Sequence, residues 1–191
     1  MFEILRNPLR KGSLAGRAAL AVPASLPVPV RERPADLEVM GEAVRLEVQR
    51  LFQGSLKLRH LDVGSCNACE GELAALLNPF HDVQRFGIDL VASPRHADGL
   101  LVTGPVSRHL EEALRLTDEA TPRPRLILAV GDCACDGGFC GDSFAVVGGA
   151  PRALAVDVRI PGCPPRPEAI LEGLLTALGR MRVQDATVVR L

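Results

Sequence analysis

The sequence contains no tryptophan and no tyrosine, and its only benzenoid side chains are six phenylalanines. A surface that stacks bases on aromatics set among basic residues cannot be assembled from so few rings. An excess of one charge is missing too. Twenty-two Lys and Arg stand against 23 Asp and Glu, for a net charge of −1. That balance offers no polybasic patch, and no nucleic-acid partner is expected. Also absent is any apolar run of about 18 residues, so no transmembrane helix is predicted. The best stretch, residues 18–30, is short and carries Pro23, Pro27 and Pro29. With the basic residues before it, it faintly resembles a signal peptide. The prolines spoil its apolar centre, and no good small-residue cleavage site follows.

What is present suits a folded domain. The chain has 191 residues, about one domain in length, and 47% of them are hydrophobic. Residues 1–35 are rich in Pro, Ala and Arg and lack sustained periodicity, which predicts an extended N-terminal arm. From Asp36 apolar residues recur at helical spacing (Leu37, Met40, Val44, Val48, Leu51), and a helix is predicted to Phe52. Beyond it, strands and helices alternate. Strands are expected over 56–63, 86–92, 99–103, 125–130 and 155–160, and helices over 70–77, 107–119 and 165–181. Such alternation implies an α/β domain, residues 36–185, built on a parallel sheet flanked by helices, with a short tail at 186–191.

The six cysteines are the most informative residues. Cys66 and Cys69 lie in Gly64-Ser65-Cys66-Asn67-Ala68-Cys69-Glu70-Gly71-Glu72, directly after the first predicted strand. Cys133 follows the fourth strand and Cys163 the fifth. Ligands of parallel α/β sheets sit outside the carboxyl ends of the strands, so the three loops are expected on one edge. Four thiolates from a Cys-x-x-Cys turn and two remote loops can hold a 4Fe-4S cluster. The spacing alone leaves three other readings open: a structural zinc site, a redox dithiol and inert thiols. Cys135 and Cys140 fall outside this set. They read as small packed hydrophobes, with an alternative third ligand or a second redox site as the other possibilities.

The motifs resemble those of the small, cluster-bearing subunit of membrane-bound group 4 nickel–iron hydrogenases of the formate hydrogenlyase type. That family is homologous to the B (20 kDa) subunit of respiratory complex I. Besides the Cys66–Cys69 run, the matching segments are Arg85-Phe86-Gly87-Ile88, Ser93-Pro94-Arg95-His96-Ala97-Asp98, Thr103-Gly104-Pro105-Val106 and Ile160-Pro161-Gly162-Cys163-Pro164-Pro165. Together they cover residues 56–181. Complex I subunits carry two adjacent cysteines in the first loop, so the Asn67-Ala68 spacer sides with the hydrogenases. The resemblance implies a flavodoxin-like fold and one 4Fe-4S cluster held by Cys66, Cys69, Cys133 and Cys163. It also implies an oxidoreductase subunit that relays electrons and has no catalytic residue of its own. Its implied partners are a nickel–iron large subunit, a ferredoxin-like iron–sulfur subunit and membrane subunits, at the cytoplasmic face of the inner membrane. The alternative functions are a complex I-like quinone oxidoreductase B subunit and a structural zinc-binding interaction module.

Charged neighbours of such a cluster would tune it. Arg95, His96 and Arg85 are candidates to stand close to it, with a surface or interface salt bridge as the other reading of Arg85. Glu72 is a candidate to assist proton passage at the large-subunit interface. Glu70 reads as a helix-start carboxylate favoured by the dipole, and His60, His81 and His109 as ordinary structural histidines.

Overall fold

The two apolar runs at the middle of the chain become the centre of a sheet. The structure, a computed structural model, describes residues 35–188, with side chains described over 37–181. Residues 1–34 of the expected arm therefore lie outside the described residues, as do positions 189–191 of the expected tail, and Ala35 is already helical. Strand β1 is Leu56–Asp62, β2 Ile88–Leu90, β3 Gly99–Thr103, β5 Leu126–Val130 and β7 Val158–Ile160. All five pair in parallel, in the order β2-β1-β3-β5-β7. Counted along the chain this is 2-1-3-4-5, the flavodoxin order, whose switch point lies between the first and third strands.

Every residue of β3 and β5 is buried. The reason is that both faces of the sheet are covered. Leu101, Leu126, Leu128 and Val130 join one core with helices α1 (Ala35–Phe52), α2 (Ala68–Leu76) and α5 (Pro167–Val188). Leu100, Val102, Ile127 and Ala129 point to the other face, into a second core that includes Leu114 of α3 (Glu111–Ala120) and Ala134 of α4 (Asp132–Asp136). The period of two within an unbroken apolar run is what a doubly covered strand requires.

The structure differs from the sequence-based expectation in a few elements. Residues Val106–Ser107 form strand β4, which pairs antiparallel with β6, Val146–Gly148. This moves the start of α3 from the expected Ser107 to Glu111. Strand β2 is shorter than 86–92 because Val83–Phe86 winds as a 3-10 turn. Helix α5 runs on past Met181 to Val188, and no Gly or Pro intervenes to stop it.

Helix α1 is fixed by a ring. Phe86 packs on Gly41 so closely that a Cβ there would stand 2.1 Å from its Cζ. Arg85 lies over the same ring, 4.5 Å from its centroid, and reaches Glu38 of α1 at 2.7 Å. Gly41→Ala should destabilise the protein. The helix propensity gained is about 1 kcal/mol, whereas overpacking at so close an approach costs about 3 kcal/mol. Urea unfolding should show a lower midpoint with an unchanged slope.

Candidate functional site

Four of the six cysteines come together at the carboxyl edge of the sheet. The first loop is shaped by the end of β1. Asp62 Oδ1 accepts the N–H of Gly64 at 2.8 Å and of Ser65 at 2.7 Å. Burial would raise the Asp62 carboxyl, but these donors outweigh it and hold it below its ordinary range. Ser65 Oγ then accepts the N–H of Asn67 at 3.1 Å. Asn67 adopts φ 72°, a left-handed conformation that asparagine tolerates, and α2 starts immediately after it. Cys69 is thereby placed in the first turn of α2, where the helix dipole favours a thiolate, while Cys66 stays exposed in the loop.

Cys133 and Cys163 lie on two loops that are tied together. Gly131 donates to the Ile160 carbonyl at 2.8 Å, and Asp132 donates its N–H to the Gly162 carbonyl at 2.9 Å. The Gly162 N–H returns a bond to Asp132 Oδ1 at 2.7 Å. Cys133 opens α4 and is half-buried; Cys163 is exposed.

The backbone is laid directly against two of the sulfurs. At Gly131 (φ +92°) an added Cβ would stand 2.5 Å from Cys69 Sγ. At Gly138 (φ +51°) it would stand 2.8 Å from Cys133 Sγ. Burial pushes the Cys69 thiol up to about 12, and Glu70, Cys133, Cys66 and Cys163 add to the rise. Burial also raises Cys133, with Cys163, Cys66 and Cys140 adding. The four expected thiols thus lie within each other's field. Thiolates so placed repel one another, and a bound cationic metal centre relieves that repulsion. Among the described residues, no three His, Cys, Asp or Glu side chains are drawn in to the spacing of a single ion. By donor chemistry, four thiols from three loops with glycine backbone against the sulfurs fit an iron–sulfur cluster.

The remaining cysteines separate clearly. Cys135 is buried among the apolar residues under α4, and its thiol points at the Ala129 carbonyl, 3.7 Å away. Burial pushes that thiol to about 11. It behaves as the packed hydrophobe that was one of its readings. Cys140 is exposed beside Cys133, at the end of the turn Gly138–Cys140.

The charged residues expected around the site are divided. Arg95 and His96 are exposed in the turn Pro94–His96, which leads into the amino end of β3. Asp98, just beyond it, bonds to Lys57 at the start of β1. The expectation that these two flank the cysteines is corrected: they stand at the opposite edge of the sheet. Arg85 is engaged with Glu38 and Phe86, away from the thiols. Glu72 is half-buried on α2, one turn from Cys69. A polar group that sequence reasoning missed lies on the inner side of the loop. Thr103, at the end of β3, donates its hydroxyl to Glu70 Oε1, and His60 Nε2 lies 2.9 Å from the same hydroxyl. The signal for it was a Thr closing the otherwise apolar β3 and a His within β1.

Comparison with known proteins gives the chain its family and its relatives. The family described as NADH ubiquinone oxidoreductase, 20 Kd subunit, matches residues 66–177. The chain is 48% identical over 122 residues to the probable membrane-bound hydrogenase subunit mbhJ of Pyrococcus furiosus, covering 64% of this chain and 73% of that one. It is 40% identical over 137 residues to formate hydrogenlyase subunit 7 of Escherichia coli, covering 72% of this chain and 54% of that one. It is 47% identical over 107 residues to the B subunit of the NADH-quinone oxidoreductase of Citrifermentans bemidjiense, covering 56% and 62%. This chain thus spans only about half to three quarters of these relatives. Among solved structures, a chain of the archaeal membrane-bound sulfane sulfur reductase superposes with a TM-score of 0.59 at 32% identity, over 71% of this chain and 74% of that one.

Proposed function

We propose, from the premise that this chain belongs to the NADH ubiquinone oxidoreductase 20 kDa subunit family, that it is the electron-relay subunit of a hydrogenase complex of the formate hydrogenlyase type. Cys66, Cys69, Cys133 and Cys163 would hold one 4Fe-4S cluster. The observation that carries the reading is the convergence of these four thiols from three strand ends at the carboxyl edge. When bound, such a cluster supplies one-electron transfer at a potential set by its surroundings. The chain's own part is to hold four thiolates, to lay the backbone of Gly131 and Gly138 against the sulfurs, and to keep water from Cys69.

Two features support a catalytic partner over this edge. Phe139 is 100% exposed and Phe144 91%, on the loop that carries Cys140 beside Cys133. Two of six phenylalanines spread in water on the loop that carries Cys140 suit an interface that a large subunit covers. The Asn67-Ala68 spacer favours a nickel–iron large subunit over a quinone-reducing one, because the first loop then matches the hydrogenase form. A ferredoxin-like subunit would exchange electrons with the same centre. Among the described residues no helix is long and apolar enough to cross a membrane. Attachment at the cytoplasmic face would therefore run through membrane subunits. Anaerobic purification of the complex should give a brown protein with about four irons on this chain, and a large subunit with two Cys-x-x-Cys pairs. An iron-free, zinc-loaded chain would sink the reading; a large subunit without those pairs would turn it to the quinone reductase.

A further inference from the structure

The carboxylate next to Cys69 is held by a device from another strand. Thr103 is fully buried at the end of β3, in a strand whose other side chains are aliphatic. A buried hydroxyl is costly unless it is bonded. Its single proton goes to Glu70 Oε1. The hydroxyl must then accept from His60 Nε2, 2.9 Å away, which assigns His60 the tautomer with its proton on Nε2. Burial, which outweighs the nearby Glu70 and Asp62, keeps His60 below its ordinary range, in agreement with a neutral ring. His60 Nε2 itself is 3.6 Å from Glu70 Oε1, beyond a good hydrogen bond. The second carboxylate oxygen, Oε2, is buried and has no hydrogen-bond partner among the described residues. One hydroxyl therefore anchors the carboxylate.

We propose that Thr103 is a positioning residue: through its bond to Glu70 it fixes the first turn of α2, and so sets the orientation of Cys69 toward the other three thiols. Cys69 and Glu70 are consecutive in that turn, so a carboxylate pinned to the end of β3 pins the cysteine's backbone as well. The asymmetry is directional. His60 and Thr103 sit on adjacent strands of the rigid sheet, whereas Glu70 sits on the loop-borne helix, so the sheet orients the loop.

The inference rests on the cluster reading above, and its test keeps the two apart. In the purified complex, the reduction potential and EPR g values of this chain's cluster are compared for wild type, Thr103→Val, Thr103→Ser and Glu70→Gln. Thr103→Val preserves shape and removes the hydroxyl; both observables should move away from wild type, and Thr103→Ser should restore them. Glu70→Gln keeps an acceptor for Thr103, and its g values should stay nearer to wild type than those of Thr103→Val. Wild-type values in Thr103→Val, or values in Thr103→Ser displaced as far as those in Thr103→Val, would overturn the proposal. If Thr103→Val binds no iron, retention of iron by Thr103→Ser supports it and loss in both overturns it. A wild type without iron refutes the cluster reading alone. The positioning role is then read from alkylation of Cys69 by iodoacetamide, which Thr103→Val should accelerate and Thr103→Ser should not.

Discussion

Cys163→Ser is expected to empty the site while leaving the fold in place. The side chain is exposed and packs against no core, so with metal removed from both proteins stability should differ by less than about 0.5 kcal/mol. Losing one of four thiolates removes a bond to iron outright. Changing a residue that merely supports a metal ligand already costs roughly 10–100-fold in affinity, so the loss of a ligand should exceed about 100-fold. Iron analysis after gel filtration should show most of the metal gone, together with the EPR signal of the reduced protein. Two further variants give the contrast. Cys135→Ala should keep its iron and cost about 1 kcal/mol, as a buried thiol under α4 would; Cys140→Ser should keep both iron and stability. Iron lost from either variant and kept in Cys163→Ser would reassign the ligands.

The second large effect is expected at Gly131, where no sulfur is touched covalently. Its φ of +92° with ψ of 155° lies in a region open essentially to glycine, and an L-residue there costs about 1–3 kcal/mol. An alanine Cβ would also meet Cys69 Sγ at 2.5 Å and the Gly162 carbonyl at 3.4 Å. The sulfur must move, or the tie between the Cys133 and Cys163 loops must open. Gly131→Ala should therefore lower stability by about 3 kcal/mol, a fall in Tm of roughly 6–12 °C for a chain of this size, and should reduce bound iron as well. Gly71→Ala is the matched control. Nothing lies within 4 Å of a Cβ there, and the position is inside α2, so Ala should be neutral or stabilise by up to about 1 kcal/mol.

The sheet was legible because its central strands are apolar without interruption, as at Leu100-Leu101-Val102, and because helical periodicity separates them. The β4–β6 pair was not. Each strand has two or three residues, and Val106 finds its partner Gly148 some forty positions away, which no local pattern reports. Cys66 and Cys69 were legible from spacing, and Cys133 and Cys163 from their places after strands. The distinction between Cys133 and Cys135 became visible only with α4. Two residues apart on a helix means about 200° around its axis, so one faces the site and the other the core. Arg95 and His96 were misplaced because they precede a strand. In a parallel sheet, residues before a strand lie at its amino edge and residues after it at its carboxyl edge. The contact of His60, Thr103 and Glu70 joins β1, β3 and α2, and only the folded register brings them together.

The reciprocal bonds between Asp132 and Gly162 bear on how metal enters the protein. They close a loop of thirty residues, and bringing the ends of such a loop together costs about 3 kcal/mol in chain entropy. Pairing of β5 with β7 in the sheet meets that cost. The bonds between the two loops hold Cys133 and Cys163 near one another, and on the cluster reading coordination energy would go into affinity instead of ordering the chain. On the cluster reading, insertion would be a docking onto a prepared half-site.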